Sequence, residues 1–403
     1  MNPLRLLVAA AVALGLAACG NKTTPDFAAG TPDSAGLTLE TTGGSGDGLI
    51  ASAPSGGASA LSVNGSIDAL TCQSYELTCN IRRSIAGVNL FIRGALEPVE
   101  ALIVLGPVSE PSDDVRVYGP TPLPQGNPVA NFRLSVKFMG NDTFRWKLEA
   151  QALMPPDAPF LVVMAGQLQR GDVPHRGRGF IGIDVDQLNA VNPTAFPGQG
   201  KLLAAFAHVG LQKALVYAAK QFQVAGMAAP VTAVFTGWKN SLGQARVRLA
   251  AINDFVAANG TAPANELLLS RIGYWPLLGG RTAVAVLGGN VPDYSVADFD
   301  VKAFVGLECF GTGIGVTYRA MFVCGTNTVQ SVDECHPDAT FNGSANAVGI
   351  DPLDPNDGPA AGACAAGTEL YDASGLPTNP DSTAQEPDAP ATPDAPPSAM
   401  PSF

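Results

Sequence analysis

Apolar residues recurring at every second position constrain this chain more than any other feature. Phe132, Leu134, Val136 and Phe138 alternate with Arg133, Ser135 and Lys137, and after Gly140-Asn141-Asp142 the residues Phe144, Trp146 and Leu148 alternate with Arg145, Lys147 and Glu149. Successive side chains of a strand point to opposite faces, so this pattern predicts a hairpin with one buried and one wet face. The alternation returns at Ile181, Ile183 and Val185 against Gly182, Asp184 and Asp186. It returns again at Val247 and Leu249 against Arg246 and Arg248, and along Phe299, Val301, Ala303, Val305 and Leu307. Ala101 to Leu105, Phe160 to Met164 and Thr282 to Leu287 are apolar on both faces and read as interior strands. Lys201 to Phe222 fits a helical stripe through Leu211, Leu215, Ala218, Ala219 and Phe222 as well as two strands broken at Val209-Gly210. Because every neighbouring segment is a strand, a hairpin is expected there. About twelve strands separated by Gly, Pro and Asn turns predict an all-β antiparallel meander forming a large barrel or sandwich over residues 61–325.

Composition agrees with many short strands and turns, with 45 glycines, 33 prolines and only 14% charged residues. The net charge of −12 is not spread along the chain. From residue 320 to the end there are twelve acidic residues and no Lys or Arg, which leaves the remainder balanced with 23 bases. That balance predicts no electrostatic preference of the body for nucleic acid or for anionic lipid. Residues 20–60 are Gly, Ser, Thr, Ala and Asp with little apolar periodicity, and read as a flexible linker. Residues 326–375 read as an acidic loop region clamped by disulfides. Residues 376–403 repeat Pro-Asp-Ala-Pro and read as a disordered tail.

The first eighteen residues have Arg5, an apolar run from Leu6 to Leu16 and then small residues, the outline of a signal peptide. Leu16-Ala17-Ala18-Cys19 resembles the lipobox of bacterial lipoproteins. That resemblance covers only about the first twenty residues. It implies cleavage before Cys19, a diacylglyceryl thioether on its sulfur and acylation of the new N-terminus. Two or more acyl chains hold a domain stably on a membrane, each buried methylene contributing about 0.8 kcal/mol. The residue after the cysteine is Gly20 rather than the aspartate that retains many such lipoproteins of Gram-negative cells at the inner membrane, which implies the outer membrane.

Six further cysteines follow in a chain expected to reach an oxidising compartment, so disulfides are expected. Cys72 and Cys79 enclose a short loop and form the first candidate pair. Cys309, Cys324, Cys335 and Cys364 allow three connectivities. If Gly311 to Gly315 is a hairpin turn, Cys324 lies far along the returning strand from Cys309, beyond disulfide reach. Pairing of Cys309 with Cys335 and of Cys324 with Cys364 is therefore expected.

Motifs for chemistry are sparse. There is no Gly-x-Ser-x-Gly elbow, His-Glu-x-x-His or phosphate loop, and no cysteine spacing that suggests zinc. His175 sits in a basic turn with Arg176 and Arg178, while His208 and His336 have no telling neighbours. Asp184 and Asp186 would share one face of a strand, where they could form an acid/base pair or equally a wet face. Asp351, Asp354 and Asp357 supply hard oxygen ligands loosely like a calcium loop, but Pro352 and Pro355 interrupt the spacing. Low aromatic content, 7%, argues against the aromatic girdles of a membrane-spanning porin. No catalytic residue, metal or cofactor is assigned. The expectation is a cell-envelope lipoprotein on the outer membrane, joined to the membrane through its lipid anchor and not a nucleic-acid binder. It is read as a non-catalytic scaffold or binding module for an unidentified protein or apolar ligand. A lipid-binding barrel, suggested by the many Ala and Gly at strand positions, and an enzyme with a scattered site are the alternatives.

Overall fold

The computed structural model describes residues 25–38, 77–124, 127–171, 176–224, 230–253, 264–275, 279–291, 298–311 and 316–337. Cys19, Cys72, His175, Asp351, Asp354, Asp357, Cys364 and the acidic tail lie outside them. A short helix α1 (Ser34–Leu37) and a long helix α2 (Leu77–Leu105) precede the strands. The first six strands are β1 (Ser109–Ser112), β2 (Val115–Leu123), β3 (Ala130–Gly140), β4 (Thr143–Gln151), β5 (Leu161–Arg170) and β6 (Gly177–Asp184). Helix α3 (Val185–Val191) follows, then β7 (Gly198–Val209), β8 (Gln212–Val224), β9 (Val231–Lys239), β10 (Ala245–Asn253) and β11 (Glu266–Trp275). The chain continues through β12 (Gly279–Leu287), β13 (Phe299–Phe310), β14 (Val316–Asn327) and β15 (Val332–Pro337).

The fifteen strands of the described residues form one antiparallel sheet in chain order, β1 to β15. The first and last strands do not pair, so the all-β meander is an open sheet rather than a closed barrel or a two-sheet sandwich. The Phe132 to Leu148 hairpin is formed as its alternation requires. Asn141 and Asp142 both have positive φ between the paired Gly140 and Thr143, the geometry that matches strand twist in a two-residue turn. Lys201 to Phe222 is likewise two strands, β7 and β8, paired from Val209 with Gln212 back to Gly198 with Val224.

Helix α2 replaces the strand expected at Ala101 to Leu105. Its 29 residues extend about 43 Å, comparable with the roughly 33–40 Å of a ten- to twelve-residue strand. Ile81, Ile85, Ile92, Leu96, Val99 and Leu102 recur at intervals of three, four and seven and are buried along one stripe. The helix touches β2 and β3 near one edge of the sheet and β11, β12 and β13 near the other. One helix can meet both regions only if the sheet curls around it. Phe91 packs edge-on against Phe222 of β8, with ring centroids 4.9 Å apart. Trp146, Phe132, Phe144 and Tyr217 are the largest fully buried side chains of the same core. Each such large apolar group contributes about 1.5–3 kcal/mol relative to exposure.

Two boundaries differ from the sequence reading. Within the expected linker, residues 25–38 dock on the body, with Phe27 and Leu37 buried and the Phe27 ring edge-on to Phe144. Asp33 caps α1 by accepting the Gly36 N–H, and Ser34 N–H donates to Glu100 of α2 at 3.0 Å. Within the expected acidic loop, Val332 to Pro337 form β15 and extend the sheet.

Candidate functional site

The aspartates offered as an acid/base pair are separated by a change of structure. Asp184 ends β6 and caps α3, accepting the Gln187 N–H at 3.1 Å and a 2.8 Å ion pair from Lys201. Asp186 lies in the first turn of α3 and accepts the Gly200 N–H at 2.8 Å. The two carboxylates fasten a β6–α3–β7 corner and do not share a strand face. The Asp184 carboxylate beside Lys201 raises the ammonium pKa above its ordinary value.

The disulfide expectation changes as well. Cys324 of β14 and Cys335 of β15 are direct cross-strand partners, their Cα atoms 4.1 Å apart, and are bonded to each other. This replaces the expected pairings of Cys309 with Cys335 and Cys324 with Cys364. The reason is β15, which turns back beside β14 where the sequence reading has a loop. Cys309 opposes Tyr318, well along β14 from Cys324, so those two stay apart as expected. Cys79 and Cys309 each take part in a disulfide as well. Next to this clamp, the exposed Asp333 accepts from the Thr326 hydroxyl at 2.6 Å and from Lys302 at 3.2 Å, contacts that lower its pKa. His336 is exposed on β15, its ring edge-on to Phe299.

A polar junction lies where α2 meets the sheet. Glu308 of β13 is fully buried, accepts the Thr78 N–H at 2.5 Å and pairs with Arg319 of β14. The Thr78 and Thr282 hydroxyls are 2.8 Å apart beside it. A carboxylate at a helix N-terminus satisfies an otherwise unpaired donor and faces the positive end of the helix dipole. The sequence contains no local signal for this junction, because its members lie on α2, β12, β13 and β14. Among the described residues, no group of three or more His, Cys, Asp or Glu is placed to hold a metal ion.

The two faces of the curled sheet differ sharply. Trp146, Gly166, Ile181, Ala204, Tyr217, Phe235, Leu249 and Ser270 are successive cross-strand neighbours from β4 to β11, one inward-facing row. The indole N–H of Trp146 and the hydroxyls of Tyr217 and Ser270 are buried in that row without a hydrogen-bond partner. Burial pushes the Tyr217 phenol pKa strongly upward. On the outward face, Val234, Ile252, Leu267 and Leu269 remain 44%, 48%, 37% and 40% exposed. They adjoin one another, since Ile252 pairs with Leu267, and Ala250 sits between Val234 and Leu269.

No protein-family model, characterised protein or solved structure matches this chain. No helix among the described residues is long and apolar enough to cross a membrane.

Proposed function

We propose that the chain is a cell-envelope lipoprotein, held at the outer membrane through acylated Cys19, whose sheet is a non-catalytic binding module. The lipobox-like Leu16-Ala17-Ala18-Cys19 supports the anchor. The observation that carries the binding role is the contiguous exposed apolar surface of Val234, Ile252, Leu267 and Leu269, because soluble domains rarely leave such patches without a partner. Of the two carboxylates that offered chemistry, Asp184 caps α3 and Asp186 accepts the Gly200 N–H, both contacts within the fold.

The anchor is tested by growing cells with labelled fatty acid. The parent chain should take up label and stay with membranes through a high-salt wash, which screens surface charge. Cys19→Ser should take up none; a parent chain without label, or a Cys19→Ser chain that still takes it up, would refute the anchor.

A second reading, binding of an apolar ligand inside the curl, is favoured by the unpartnered polar atoms of Trp146, Tyr217 and Ser270 in one inward row. Buried donors are ordinarily paired, so a ligand with a single polar group would suit that layer. Organic extraction of the purified protein should release a stoichiometric lipid if this holds; finding none would remove it.

A further inference from the structure

We propose that the outward face of β8 to β12 docks directly on an anionic phospholipid surface, a contact separate from the acyl anchor. This names the partner of the apolar surface on which the binding role rests. The face is ordered along the strands. One cross-strand row holds Val234, Ala250, Leu269 and Ala285, and beside it Ile252, Leu267 and Leu287 form another. The next row in the opposite direction contains Arg248, exposed on β10, and one step beyond lies Arg246, stacked 5.4 Å from the centre of the Trp238 ring. Residues two apart on a strand are separated by about 6.6 Å. Aliphatic side chains therefore border guanidinium groups and an indole over about the depth of a headgroup layer, the arrangement of surfaces that lie in a membrane interface.

Charge selects this partner over a second copy of the chain. The outward positions of β8 to β12 carry no carboxylate among the described residues; Glu266 of β11 faces inward and is buried. A two-fold contact between copies would set this basic face against itself, whereas lipid phosphates complement it. Charge balance along the sequence conceals this segregation, because the described carboxylates of the body lie off the outward positions of these strands.

The test uses the full chain carrying Cys19→Ser, so that no acyl anchor contributes. It should sediment with vesicles of phosphatidylglycerol and phosphatidylethanolamine, and much less with phosphatidylcholine vesicles. Leu269→Asp should lower binding roughly tenfold by placing charge in the apolar rows. Arg248→Glu, at an exposed position that leaves the core intact, should lower it further at low salt than at high salt. The proposal is overturned if the Cys19→Ser chain ignores anionic vesicles, if Arg248→Glu binds as before, or if the chain is a dimer that Leu269→Asp dissociates. Fatty-acid labelling of the parent chain reads the anchor independently, so either idea can fail while the other stands.

Discussion

Glu308 accepts the backbone N–H of Thr78 at 2.5 Å across 230 residues of sequence. This bond fixes the start of α2 to β13, near one edge of a sheet whose other edge meets the same helix. Glu308 is buried and paired with Arg319, so truncating it removes the guanidinium's buried carboxylate partner and uncaps the helix end. Glu308→Ala should cost about 3–5 kcal/mol in denaturant unfolding. Glu308→Gln, which keeps an acceptor for Thr78, should cost less. Equal losses in the two variants would mean that the helix cap contributes nothing.

Joining Cys324 to Cys335 ties the edge strand β15 to the sheet. Cleavage after Asp and Glu, which separates these cysteines at Asp333 and Glu334, should yield a disulfide-linked peptide pair containing Cys324 and Cys335. Cys335→Ser should cost about 2–3 kcal/mol, as expected for a short closed loop, and speed amide exchange in β15 first. A Cys324 peptide linked to Cys364 would contradict the cross-strand geometry.

Asp184 separates a structural from a chemical role. Asp184→Ala should destabilise the protein by about 0.5–2 kcal/mol through the lost α3 cap. Asp184→Asn retains a side-chain oxygen for the Gln187 N–H and should recover most of that loss, although it breaks the ion pair with Lys201. Because Lys201 is largely exposed, its ion pair contributes little. An asparagine variant as unstable as the alanine variant would show that the charge, not the cap, matters.

Tyr217 predicts alkaline behaviour. Its folded pKa lies above the ordinary phenol value because ionisation would place a charge in the core. Above about pH 10 the unfolded phenol releases its proton while the folded one holds it, so stability falls as pH rises through that range. Tyr217→Phe should flatten this fall, measured by unfolding at pH 9 to 11. An unchanged slope would assign the effect to other groups, among them Tyr118, whose pKa burial also raises.

Much of the sheet is legible in local pattern. Alternation around Asn141-Asp142 specifies both the β3–β4 hairpin and its register, because a slip of one residue would expose Phe132, Leu134, Phe144 and Trp146. The β7–β8 hairpin follows from Val209-Gly210 with less force, since its alanines fit either period. Helix α2 also carries a readable stripe, from Ile81 to Leu102, but Gly87, Gly94 and Pro98 weaken its helical signal. Its last turn, Ala101 to Leu105, taken alone, resembles a buried strand.

The sequence by itself determined that this chain forms hairpins in order, because side-chain alternation and turn residues act between neighbours. Only the tertiary structure decided that the sheet curls around α2 and stays open, that Asp184 caps a helix, and that Cys335 meets Cys324. It also decided that Val234, Ile252, Leu267 and Leu269 share one outward patch. Those outcomes depend on which strand lies beside which and which face the helix covers. A period of two records that a residue changes face from its neighbour, but not what each face finally meets.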